Sequence, residues 1–190
     1  MEHFQEAEHV TMLRDTMRRF VEKDMPRELA QKWDRENEYP REIFEQLSAL
    51  GVNALTVPEE YGGAGRDITA TMVVIEELAR RSMAVAVPFI MCACYGAMNI
   101  EEVGSDEQKA ELLPKLAEGK LLFAYGISEP DVGADVASVR TTAVRKGNGA
   151  TVTINGSKRF CSGANIADYI YTVVKSDPEA GRYKNLSIVM

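Results

Sequence analysis

The apolar positions follow two different rhythms. In the first two-thirds of the chain they recur every three to four residues. Val10, Leu13, Met17, Phe20 and Val21 make one amphipathic helical stripe, which Pro26 interrupts. Pro40 suits the first turn of a second helix whose stripe is Ile43, Phe44, Leu47 and Leu50, and Gly51 suits its C-terminal cap. The stretch 57–67, VPEEYGGAGRD, is rich in turn formers. Asp67 can cap a helix carrying Met72, Ile75, Leu78 and Ala79. Ser105 with Gln108 forms a capping-box pattern, and Gly119 ends that helix.

Beyond residue 120 the period becomes two. LLFAYGI (121–127), VRTTAVRK (139–146), ATVTI (150–154), SKRFCS (157–162), ADYIYTVVK (167–175) and LSIVM (186–190) read as short strands. Gly147-Asn148-Gly149 and Asn155-Gly156 are tight-turn signals. The expected fold class is therefore α+β: an all-helical domain over 1–120, then a partial antiparallel β domain over 121–190. Residues 82–100 carry no charge, a length compatible with a membrane span. Pro88, Gly96, Asn99 and several alanines dilute its hydrophobicity, so the expectation is a helix buried on all faces at the centre of the helical domain, with no membrane span.

Composition narrows the classes. The 190 residues carry 22 Lys and Arg against 29 Asp and Glu, a net charge of −7, with 45% hydrophobic residues. Those values fit a globular chain with a real core and give no electrostatic reason to expect nucleic acid. Cys92, Cys94 and Cys161 lack metal-ligand spacing and read as reduced thiols. His3 and His9 both fall in the first helix, which leaves no histidine-based metal site or triad. MEHFQEAEH has no apolar signal core or visible transit peptide. The expected localisation is cytoplasmic, or the mitochondrial matrix in a eukaryote.

The segment 125–143, YGISEPDVGADVASVRTTA, carries the chemistry. A strand ends at Ser128, and Pro130 and Gly133 then force an irregular loop whose backbone N–H groups can receive phosphate or a polar heterocycle. FCSGAN (160–165) sets an aromatic beside a hydroxyl and a glycine, which suits a flat ligand. The competing reading makes Tyr125 and Phe160 core aromatics of the β domain, and Ser128 a strand end with a local backbone bond.

VPEEYGGAG (57–65), IEELAR (75–80), EQKAELLPKLAEGK (107–120), ISEPDVGADV (127–136) and NGSKRFCSGA (155–164) stand in the order and spacing of the acyl-CoA dehydrogenase family, which the chain resembles over essentially its whole length. The resemblance implies a flavoprotein with a helical domain, a middle β domain and a C-terminal four-helix domain, the last absent from these 190 residues. It implies FAD as cofactor, an acyl-CoA substrate and an electron-transferring flavoprotein as acceptor. By position, Tyr125, Ile127 and Ser128 would lie along the flavin, with Ser128 bonding its pyrimidine side. Phe160 would cover one flavin face where the family usually has Trp, and Ser162 would reach toward N5. Gly133 and Ala134 match a Gly-Ser pair that approaches the acyl-CoA and FAD phosphates. Ala134 lacks that hydroxyl, a loss worth roughly 0.5–1.5 kcal/mol. Glu129 would shape the loop before Pro130 rather than act as base.

The resemblance places the catalytic base, a carboxylate, in the C-terminal domain, so no catalytic residue is expected in this chain. The 190 residues would be about half of a family member: a fragment, one half of a split enzyme completed by a second chain, or a non-catalytic binding subunit. Alternatives within the superfamily are an acyl-CoA oxidase or a reductase-like member. A homotetramer or dimer is expected of the complete protein.

Overall fold

The computed structural model describes residues 6–147, 151–177 and 179–190. They form two compact units, one up to Leu122 and one from Phe123.

The first unit is helical. Its helices are α1 (Glu8–Asp24), α2 (Arg27–Glu36), α3 (Arg41–Ala49), α4 (Ile68–Ala79), α5 (Met83–Ile90), α6 (Met98–Val103) and α7 (Asp106–Ala117). Pro26 separates α1 from α2 by serving as the N-cap of α2, and Pro40 does the same for α3. Ring closure fixes proline φ and removes an N–H, which costs a helix least at its entrance. The caps foreseen at Asp67 and Ser105 form. Asp67 accepts the Ala70 N–H at 2.8 Å, and Ser105 and Gln108 exchange both bonds of the capping box. Gly51 and Gly119 end their helices with φ of 74° and 66°.

Met17, Val21, Trp33, Leu47, Val74, Leu78 and Phe89 share one core. Two members of the expected stripes are exposed instead of buried: Leu50 is 44% exposed and Met72 54%. On α4 the buried set is Ala70, Thr71, Val73, Val74, Glu77 and Leu78. That helix touches both α1 and α5, so burial covers a wider face than one stripe, and the face is displaced from Met72.

The uncharged stretch is helical from Met83 onward, within a helical run that continues to Val103, but is not buried on all faces. Half of its most apolar window is buried, while Met83 and Tyr95 are exposed. Pro88 sits inside α5, and a π-helical segment, Met91–Ala97, follows. Proline removes one rung of the helical ladder, and the wider turn then shifts the carbonyls. One of them, that of Ala93, accepts the buried Thr56 hydroxyl at 2.8 Å.

The second unit is a five-stranded sheet: β1 (Phe123–Gly126), β2 (Thr142–Lys146), β3 (Thr151–Asn155), β4 (Tyr169–Lys175) and β5 (Leu186–Val189). Two pairings, β2–β3 and β4–β5, are antiparallel as expected. The sheet as a whole is mixed, because β4 runs parallel to both β1 and β2. Turn residues report only the local hairpins. Parallel pairing comes from crossovers, here the long loops 127–141 and 156–168, which leave no periodic signal. The Gly147-Asn148-Gly149 turn lies partly outside the described residues, but its consequence, the β2–β3 register Thr142↔Asn155 through Lys146↔Thr151, is present. SKRFCS (157–162), expected as a strand, is instead irregular chain leading into a turn.

Candidate functional site: two loops braced by a buried carboxylate

Loop 127–141 and loop 156–165 meet around Glu129. Its side chain is 5% exposed. The N–H of Arg140 donates to Oε2 at 2.7 Å; the N–H and hydroxyl of Thr141 donate to Oε1 at 2.9 and 2.6 Å. The Lys158 ammonium donates to Oε1 and to the Ile127 carbonyl, both at 3.0 Å. Burial alone would raise the carboxyl's pKa. The bonds from Thr141, Arg140 and Lys158 outweigh it and hold the pKa at about 2. Both carboxylate oxygens accept hydrogen bonds, one of them from a cation, which is the condition for a buried charge to be tolerated.

Backbone bonds complete the brace. Glu129 and Val132 exchange N–H to carbonyl bonds of 2.8 and 3.2 Å across Pro130-Asp131. The Arg159 N–H donates to the Ser128 carbonyl at 2.9 Å, tying the two loops directly. Gly156 makes that approach feasible. A Cβ there would lie 2.2 Å from Thr141 Oγ1 and 2.6 Å from its Cα. Lys158 and Thr141 therefore position this region, and the sequence reading passed over both. Lys158 stood in a quoted motif, but nothing in the motif says that its charge folds inward.

The candidate residues divide around this brace. Tyr125 is half-buried on β1, its ring 6.2 Å from that of Tyr171. Burial and then the neighbouring Tyr125 raise the Tyr171 hydroxyl to about 12. Ile127 and Ser128 are half-buried at the end of β1. Phe160 is not a strand residue: it has φ 60° and is 77% exposed, with the Arg159 guanidinium 4.3 Å from its ring centre. A bulky residue in left-handed backbone costs on the order of 1–3 kcal/mol, and such strain concentrates at ligand-contacting positions. Ser162 is exposed one turn further on, its N–H donating to the Phe160 carbonyl at 3.0 Å. The brace thus brings Ile127 and Ser128 beside the Phe160–Ser162 loop. Gly133 and Ala134 are exposed on the far side of the Glu129–Val132 turn, with open space beside the Gly133 Cα.

An exposed aromatic face, an exposed hydroxyl and an open glycine loop on a rigid base suit a planar heterocycle carrying phosphates. Among the described residues there is no group of three or more His, Cys, Asp or Glu side chains able to hold a metal.

The comparisons agree with this architecture. The model of the acyl-CoA dehydrogenase N-terminal domain matches residues 7–120, and that of the middle domain matches residues 124–190. The chain belongs to the acyl-CoA dehydrogenase family. An acyl-CoA dehydrogenase of Bacillus subtilis is 35% identical over 179 residues, 92% of this chain and 46% of that protein. The structure of glutaryl-coenzyme A dehydrogenase in complex with glutaryl-CoA superposes with a TM-score of 0.89 at 36% identity, covering 98% of this chain and 47% of the other. An acyl-CoA dehydrogenase from Bacillus anthracis complexed with FAD superposes with a TM-score of 0.85 at 28% identity, covering 97% of this chain and 31% of the other. The chain spans about half the length of the curated relatives it matches.

Proposed function

We propose that these 190 residues form part of the flavin and acyl-CoA site of an FAD-dependent enzyme that oxidises acyl-CoA thioesters between the α and β carbons. The observation that carries the proposal is the Glu129 brace, which sets Ser128 beside the Phe160–Ser162 loop and leaves the Phe160 ring exposed. When bound, the flavin supplies a two-electron acceptor. Tyr125 and Ile127 line it, Ser128 bonds its polar edge, Phe160 covers one face, and the Ser162 hydroxyl reaches toward its reactive nitrogen. Gly133 and Ala134 let phosphates approach the backbone.

In this proposal the carboxylate base lies outside these residues. Glu129 is unsuited to the role because its oxygens already accept four hydrogen bonds and its pKa of about 2 makes it a weak base. The domain boundary falls near residue 120. The finished protein is a homo-oligomer or takes its other half from a second chain, acts in the cytoplasm or mitochondrial matrix, and passes electrons to an electron-transferring flavoprotein.

The test is a titration of FAD into the purified chain, followed by fluorescence quenching and by the visible spectrum after desalting. Quenching that weakens in Phe160→Ala and Ser162→Ala is expected. A folded chain that leaves FAD fluorescence unchanged removes the proposal that these residues hold the ring.

A further inference from the structure

A polar hollow lies in the helical unit, formed by residues of α1, α2 and the end of α4. It has a volume of about 440 Å³, and its charged lining is Arg18, Arg27, Arg80 and Arg81 against Glu22 and Glu77. A neighbouring hollow of about 410 Å³ shares Arg27, Arg80 and Arg81. Four guanidinium groups against two carboxylates is a local excess of positive charge in a chain whose net charge is −7.

The carboxylates do not use up this charge. Glu77, 3% exposed, accepts Arg14 Nη1 and Arg18 Nε at 3.1 Å each, and Arg80 Nη1 at 3.2 Å. It holds each guanidinium by one nitrogen and so spends one donor of each. Arg81 is half-buried and gives Nη1 to the Met25 carbonyl at 2.8 Å, which fixes its guanidinium and leaves the other nitrogens free among the described residues. Arg27 is exposed and has no hydrogen-bond or ion-pair partner among the described residues. It is also the first residue of α2, whose N-cap, Pro26, offers no side-chain cap. The positive end of that helix adds to the same field.

We propose that this hollow binds a small molecule through a phosphoryl or diphosphate group. A fixed guanidinium matches two phosphate oxygens at once, and a charge-assisted bond of this kind outweighs a neutral one. The volume fits a small ligand, and the anchored Arg81 beside the unpaired Arg27 gives a preorganised pair. This site does not rest on the flavin proposal, since it lies wholly within the helical unit.

Isothermal titration of inorganic pyrophosphate into the full chain at 0.15 M NaCl tests it, at a salt level where loose surface attraction is screened within about 8 Å. Saturable binding is expected, weakened about tenfold or more in Arg27→Gln and in Arg81→Gln, and unchanged in the distant control Arg145→Gln. Arg27 has no partner to lose, so its variant stays informative even where Arg81→Gln perturbs folding. A parallel titration with ADP separates the sources: tighter binding than pyrophosphate means a nucleotide, and equal binding means the diphosphate group alone. Absence of saturable binding, or an equal loss in Arg145→Gln, overturns the proposal.

Discussion

At the residue scale, Glu129 shows how one buried charge decides a local structure. Its folded pKa of about 2 lies below its ordinary value of 4.5, so the unfolded chain binds the proton more readily. The stability that this group contributes is fully present above about pH 5 and is lost as the pH falls toward 2. A gap of that size corresponds to about 3 kcal/mol at about 1.4 kcal/mol per pH unit. Glu129→Gln should lower unfolding free energy by about that amount at pH 7, because the Lys158 ammonium then stays buried without a counter-charge. Urea titrations between pH 7 and 2.5 check this: the two proteins should differ at neutral pH and converge at the acid end. A difference that persists unchanged at pH 2.5 would assign the loss to shape rather than charge.

At the element scale, caps and breakers were more legible than faces. Pro26, Asp67, Ser105 and Gly119 end or begin helices because of chemistry local to each residue, and all four do so. Leu50 and Met72 were placed by periodicity alone, and their exposure depends on which neighbouring helices arrive, which no single helix records. The same division holds in the sheet. The β2–β3 hairpin was readable from Gly147-Asn148-Gly149, whereas Asn155-Gly156 leads into no strand and the parallel partners of β4 carry no local signal. The left-handed backbone of Phe160 is likewise set by the loop's tertiary ties, and no aromatic residue announces it. The Asp67 cap offers a direct test. The Ala70 N–H and then His9, 2.9 Å away, hold this carboxyl below its ordinary range. Asp67→Ala should cost α4 about 0.5–2 kcal/mol, read as a lower midpoint in thermal or denaturant unfolding.

At the scale of the whole molecule, the two units build their interiors from separate stretches of chain. One core draws on residues between Met17 and Ala93, and a smaller one joins Val132, Val139 and Val173 with Ile127, Val136 and Leu186. The candidate flavin loops ride on the second, and the arginine hollow is built on the first. A defect placed in the brace should therefore register in one unit. Gly156→Ala sets a methyl 2.2 Å from Thr141 Oγ1, against backbone that the adjoining strand fixes: the Lys175 N–H donates to the Thr141 carbonyl at 2.7 Å. Overpacking of this kind costs about 1–3 kcal/mol, and displacing Thr141 also removes two of the donors to Glu129. Hydrogen exchange followed by mass spectrometry should show faster exchange across 123–146 and 151–175, weaker FAD quenching, and unchanged protection in α1, α4 and α7. Equal loss of protection in those helices would mean that the two cores unfold as one, and the flavin loops would then draw their rigidity from the entire chain rather than from the brace beneath them.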